Sequence, residues 1–296
     1  MNLRLRDRTV ECRAGRPLLM GIVNANPDSF SDAERLRTLD AQVERALALV
    51  RDGADLIDVG GESGVTYTEV SAEDVEIGRV VPLVERLVAE GVTVSVDTWK
   101  PVVAEAALAA GAHMINDVSG LRDPRLADLC AASGAALVLM HTRAAPKQVH
   151  FADYRGDVVA DVVAFLEEVR GVARARGVAA DQLVLDPGPD FAKSPAESVA
   201  ALRALDHLHK LGRPLLLALS NKYFLGAITG RPPEQRLAAT LAAVGEGVDA
   251  GGAILRVHDV AAVSDFLAVR RVLRGEEPVP DFDAGDERLK WIRPGT

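Results

Sequence analysis

Eight short apolar runs recur along the chain, and the segments between them carry the period of a helix. The runs are "LLMGIVN" (18–24), "LIDVGG" (56–61), "VTVSVD" (92–97), "HMIND" (113–117), "ALVLM" (136–140), "LVLDPG" (183–188), "LLLALS" (215–220) and "ILRVH" (254–258). Apolar on both alternating faces, they read as strands covered from two sides. Between them lie amphipathic stretches such as "DAQVERALALVRDGA", "ADVVAFLEEVRGVARARG" and "QRLAATLAAVGEGVDAGG", each closing near a glycine that suits a helix C-terminus. Strand and helix in regular alternation make a parallel sheet. Eight such units in 296 residues predict an α/β fold, a single closed (β/α)8 TIM barrel, with an open doubly wound sheet as the alternative. No linker divides the chain, so one domain is expected over residues 1–296. Residues 1–16 are read as an N-terminal extension, a hairpin or strand pair ahead of the barrel, and 276–296 as a charged C-terminal tail.

Charge decides what such a barrel can meet. A net charge of −9 argues against nucleic acid or an anionic membrane as partner, because both attract a basic face; any anion must be captured locally. Two cysteines, Cys12 and Cys130, are too few for a disulfide framework and suit a reducing compartment as packing groups. The N-terminus is charged throughout, and no stretch approaches the roughly 20 apolar residues of a membrane span. A cytoplasmic location is expected. His113, His150, His207 and His209 fit no pattern and are expected at the surface or in loops.

Every predicted strand ends on polar or backbone-exposing residues: Asn24, Gly61-Glu62, Asp97, Asn116-Asp117, His141, Asp186, Ser220 with Lys222, and Arg256 with His258. Any one of these could cap the following helix. In a (β/α)8 barrel, however, they converge on one rim, where such folds place their chemistry. Asp97, Asn116 and Asp186 offer acceptors and an amide to a flat heterocycle with paired N–H groups, as on a pterin or purine edge. Lys222, Arg256 and His258, with the Asn24 amide, offer donors for a phosphate or diphosphate and a place for Mg2+.

The segments "GIVNANPDSFSD" (21–32), "GADLIDVGGES" (53–63), "VSVDT" (94–98), "INDVSG" (115–120), "LVLMHTR" (137–143), "LDPGPDFAKS" (185–194), "LSNK" (219–222) and "RVHDV" (256–260) resemble, in order, the signature segments of the dihydropteroate synthase family of pterin-binding barrels, over about residues 16–273. The resemblance implies a transferase that condenses 6-hydroxymethyl-7,8-dihydropterin diphosphate with 4-aminobenzoate, releasing diphosphate in folate biosynthesis. It implies a pterin pocket of Asp97, Asn116, Met140, Asp186, Phe191 and Lys222, and a diphosphate site of Asn24, Arg256 and His258. Asn24 would also support Mg2+, and Ser220 would lie on the aminobenzoate side. The implied catalytic set is Asp97, Lys222, Arg256 and His258. A homodimer is expected from the same resemblance.

The chain also departs from the family pattern. Gly64 and Val65 stand where a threonine and an arginine are usual, Asn26 replaces a threonine, Asn221 replaces an arginine, and Pro189 and Asp190 replace small or apolar residues. The changes at 26, 64, 65 and 221 touch the strand ends that receive the second substrate, while the pterin floor is intact. They keep open a divergent actinobacterial paralogue that binds pterin diphosphate with weak or no condensation. A methyltetrahydrofolate-dependent methyltransferase of the same superfamily has no use for the cationic end. Asp97→Asn and Asp186→Asn are expected to weaken dihydropterin binding by roughly 1.5–3 kcal/mol, the range for a bond to a charged group, while the variants still fold. Calorimetric titration alongside the parent checks this, and parental affinity in either variant removes that residue from the floor.

Overall fold

The computed structural model describes residues 1–13, 15–25, 38–62, 70–148 and 150–281. Asn26, Gly64 and Val65, and the tail from 282 onward, lie outside the described residues. All eight expected strands form: β3 (Leu18–Asn24), β4 (Leu56–Gly60), β5 (Val94–Asp97), β6 (Met114–Asp117), β7 (Ala136–Met140), β8 (Leu183–Asp186), β9 (Leu216–Ala218) and β10 (Ile254–Val257). They pair parallel in the order β8-β7-β6-β5-β4-β3-β10-β9. A further parallel bridge, Leu185 with Leu215, joins β8 to the start of β9 and closes the sheet into a barrel.

The alternation of side chains explains why these runs are apolar on both faces. One buried cluster holds Val23, Ile57, Val59, Val96, Ile115, Leu139, Leu185, Leu217 and Leu255 against the helices. The other holds Met20, Leu56, Met114, Val138, Val184, Leu216 and Ile254 inside the barrel. Every strand but β5, whose inward residue Ser95 is polar, contributes to both clusters on alternate residues. The three amphipathic stretches become α1 (Leu39–Arg51), α5 (Val158–Ala175) and α9 (Leu237–Asp249), each turned back at a glycine of positive φ, Gly53, Gly177 and Gly251. Thr38 and Asp157 cap α1 and α5 with side-chain oxygens, as Asp259 caps α10 (Val260–Leu273).

The N-terminal extension is an antiparallel hairpin of β1 (Asn2–Leu5) and β2 (Arg8–Glu11). Leu3, Leu5 and Cys12 pack with the inner cluster, so the hairpin plugs one end of the barrel. The Met1 ammonium donates to Cys12 O at 2.8 Å, and Arg6 N donates to Gly134 O at 3.0 Å. Both cysteines are buried and free. His113 corrects the surface assignment: it is buried, and its Nδ1 accepts from Val94 N at 3.1 Å. Among the described residues, no helix is long and apolar enough to cross a membrane. Truncating the plug with Leu5→Ala is expected to cost about 2–5 kcal/mol, as for other fully buried leucines, and to leave the secondary structure of the folded variant unchanged. Urea unfolding and circular dichroism of the folded variant measure the two separately.

Candidate active site

The plug leaves the other end of the barrel, at the C-terminal ends of the strands, for polar groups. Residues on the inner face continue there from the barrel interior: Leu56 is followed by Asp58, the buried Ser95 by Asp97, Met114 by Asn116, Val184 by Asp186, and Ile254 by Arg256. Arg256 links three strands. Its Nε donates to Asp58 Oδ2 at 2.6 Å and its Nη2 to Asp97 Oδ2 at 2.9 Å. Asp58 Oδ2 also accepts from Asn116 Nδ2 at 3.1 Å. Arg256, expected at the anion end alone, therefore bonds directly to Asp97 and, through Asp58, reaches Asn116. Burial raises the pKa of Asp97, and the Arg256 guanidinium opposes the rise. A Cβ placed on Gly60 would lie 3.6 Å from Asn24 Oδ1 and 4.0 Å from Asp97 Cβ, which brings Asn24 to the same group.

The loop after β8 supplies the wall. Asp186 is buried, and its Oδ1 accepts from Gly188 N at 2.7 Å. Gly188 has φ +63, and an added Cβ would stand 2.2 Å from His141 O and 3.1 Å from Met140 Cγ, so only glycine fits the turn. Lys193, almost completely buried, donates to His141 O, Gly188 O and Phe191 O at 2.9–3.2 Å. Burial pushes its pKa down to about 7, with Asp186 opposing. Three carbonyls thus meet one ammonium, and Phe191 is fixed in place. Lys222 Nζ sits 4.6 Å from the centre of the Phe191 ring, a cation–π distance. Burial lowers the Lys222 pKa, and Asp190 and Asp186 oppose the fall.

The last strands place Ser220 against His258, Oγ to Nδ1 at 2.9 Å. Burial, with help from Arg256, Lys222 and Arg45, lowers His258 to about 4, so the imidazole is neutral. Arg45 of α1 donates to His258 O at 3.4 Å.

Two of the strand-end groups belong elsewhere, because they follow the inward residue by one. His141 Nε2 lies 2.8 Å from Asp161 Oδ1 on α5, and its ring meets Phe165 edge-on at 5.0 Å. Asp117 accepts from Ser119 N and Leu121 N at 2.8 and 2.6 Å and shapes its own loop. Glu62 is buried with Lys100, whose Nζ also reaches Glu76 and Ser71 O. Sequence reasoning missed Asp58, Lys193, Arg45 and Lys100. A carboxylate inside the apolar run "LIDVG" was the available signal for Asp58. Lys193, Arg45 and Lys100 carried none, since lysines and arginines between strands usually face water.

A closed parallel barrel with carboxylates, an amide and cations gathered at one end is the form of a pterin-binding barrel, and the chain belongs to the pterin binding enzyme family, whose model matches residues 20–258. Within it the similar proteins are dihydropteroate synthases. That of Mycobacterium leprae is 43% identical over 260 residues, 85% of this chain and 91% of the relative. The inactive dihydropteroate synthase 2 of the same organism is 39% identical over 274 residues, 90% of this chain and 93% of the relative. The structure of Xanthomonas albilineans dihydropteroate synthase with 4-aminobenzoic acid is 43% identical, covers 94% of this chain and 99% of its own, and superposes with a TM-score of 0.84.

His141, behind the site, gives the fold a pH signature. Burial holds its pKa at about 3 against 6.5 for a free histidine, so between these values the unfolded chain binds a proton that the folded chain does not. Its share of stability is complete above pH 6.5 and is lost as pH falls toward 3. In urea unfolding between pH 6.5 and 4, His141→Phe is expected to lose less stability per pH unit than the parent, by up to about 1.4 kcal/mol. Equal slopes would place the buried proton-binding group elsewhere.

Proposed function

We propose that the chain condenses 6-hydroxymethyl-7,8-dihydropterin diphosphate with 4-aminobenzoate and releases diphosphate. The observation that carries this reading is the chain of contacts from Arg256 through Asp97 and Asp58 to Asn116, which sets acceptors for ring N–H groups beside a fixed guanidinium. Asp97, Asn116 and Asp186 receive the pterin edge, while Phe191 and Met140 flank the ring. Arg256, Lys222 and the neutral His258 face the diphosphate. As the C–O bond to the pterin methylene breaks, positive charge grows on carbon and negative charge on the leaving group. Asp97 stabilises the first, and Arg256 and Lys222 stabilise the second. The aminobenzoate amine then forms the C–N bond and gives up a proton, with Ser220 on its side of the site. The X. albilineans complex supports 4-aminobenzoate as the second substrate.

Mg2+ binds through few protein oxygens and keeps waters and substrate phosphates. Among the described residues no cluster of three or more His, Cys, Asp or Glu could hold a metal. The Asn24 amide oxygen at the anion end fits such a sparse site, and the ion would add positive charge to the leaving diphosphate. We read the chain as one pterin-binding domain that acts as a cytoplasmic homodimer. The exposed Ile228, Val269 and Leu273 support an apolar contact between copies, on α10 and on α8 (Tyr223–Thr229).

A second reading, a pterin-binding paralogue without condensation, is favoured by Gly64, Val65 and Asn221 and by the near-equal identity to active and inactive relatives. Steady-state assay of dihydropteroate formation separates the two. Turnover on the order of 1 s⁻¹ or faster is the outcome expected of the synthase. Tight binding of pterin diphosphate with negligible turnover establishes the paralogue, and restoring Gly64→Thr with Val65→Arg should then raise the rate. Absence of pterin diphosphate binding overturns both.

A further inference from the structure

Helix α8 starts poorly if judged by its own sequence. Its N-cap is Lys222, and no side chain of the N-cap residue accepts a bond from the first turn. An ammonium can only donate, and it sets positive charge against the positive end of the helix. The missing acceptor comes from the loop after β8. Asp190 takes bonds from the backbone N–H of Tyr223 and, at 3.2 Å, of Phe224. Asp190 is itself held by its N–H, which donates to the buried Ser198 Oγ at 2.9 Å.

Its backbone has φ +68, a region that glycine enters freely and that aspartate, like asparagine, enters at a smaller cost than other side chains. A cost kept in place points to a use. The preceding turn carries the other departure, Asn221, at φ +57, where asparagine is among the most tolerant side chains. Two replacements that are 31 residues apart in sequence thus meet at Lys222. The carboxylates acting on Lys222 are Asp190, Asp186 and Asp97, opposed by Arg256; the Arg236 guanidinium donates to Asn221 O and Lys222 O at 2.8 and 3.2 Å, and Lys193 and His258 are near enough to be affected by Lys222. Among the carboxylates Asp190 counts most.

We propose that Asp190 is a positioning residue for Lys222, capping its helix from another loop and supplying the counter-charge that keeps its ammonium over Phe191. This rests on reading Lys222 as a cation of the pterin site. Three variants test it: Asp190→Gly, which removes the carboxylate and relieves the backbone, Asp190→Asn, which keeps one acceptor without charge, and Lys222→Met. Affinity for pterin diphosphate is measured by calorimetry from pH 6 to 10, with thermal unfolding in parallel. Asp190→Gly is expected to bind about tenfold more weakly, with the alkaline loss of binding moved down by about one pH unit, and to unfold at a somewhat lower Tm for want of the cap. Asp190→Asn shows the same pH shift with a smaller loss of affinity. If Lys222→Met loses binding and both Asp190 variants keep the parental affinity and pH profile, Asp190 only caps a helix and the proposal fails. If Lys222→Met binds as the parent does, it is the pterin assignment of Lys222 that fails.

Discussion

The ion pair between Arg256 and two carboxylates, one of them wholly buried, governs the open end of the barrel. Removing a guanidinium and a carboxylate from water costs several kcal/mol each, and the loss is offset only where geometry and additional bonds are good. Asp58 meets that condition by sharing one oxygen between Arg256 and Asn116. Its other oxygen is buried without a partner among the described residues. A carboxylate left in this state favours any arriving N–H donor. The same pair fixes β10 to β4 and β5 across the mouth, so the carboxylates and the guanidinium of the rim are arranged by one contact rather than by two independent clusters.

Much of this was legible in the sequence because strands report their geometry directly. "LLMGIVN" and "ALVLM" were bounded to the residue, since both faces of each are covered and the apolar run begins and ends with the strand. "LVLDPG" and "LLLALS" extend beyond their strands, which end at Asp186 and Ala218, because their last residues leave the sheet to build the rim and keep apolar or small side chains while doing so. The candidate site was visible through alternation: Asp97, Asn116, Asp186 and Arg256 sit on the inner face of their strands. His141 and Asp117 look equally polar at a strand end and differ only in parity, which sends one to α5 and the other to its own loop. Contacts between distant loops were not legible. Nothing in the spacing of Lys193 tells that its ammonium lies under three carbonyls, and nothing near Asp190 tells that its partner is Tyr223.

The wall of the site shows how a loop can be made rigid without being apolar. Gly188 lets the chain pass close to His141 O, Lys193 gathers the carbonyls that this passage leaves pointing inward, and Phe191 emerges on the far side. The result behaves as a short piece of scaffold, although it has no helix or strand of its own.

The hairpin that seals the opposite end has a consequence for how such a chain changes over time. Leu3, Leu5 and Cys12 complete a core that ends about where the polar rim begins, so mutations at the two ends share few partners and their effects on stability should add independently. Residues of the rim can then be exchanged without spending the stability held at the plug. A copy relieved of selection for turnover would stay folded, keep its ligand cavity and persist, available for some other use of the same bound molecule.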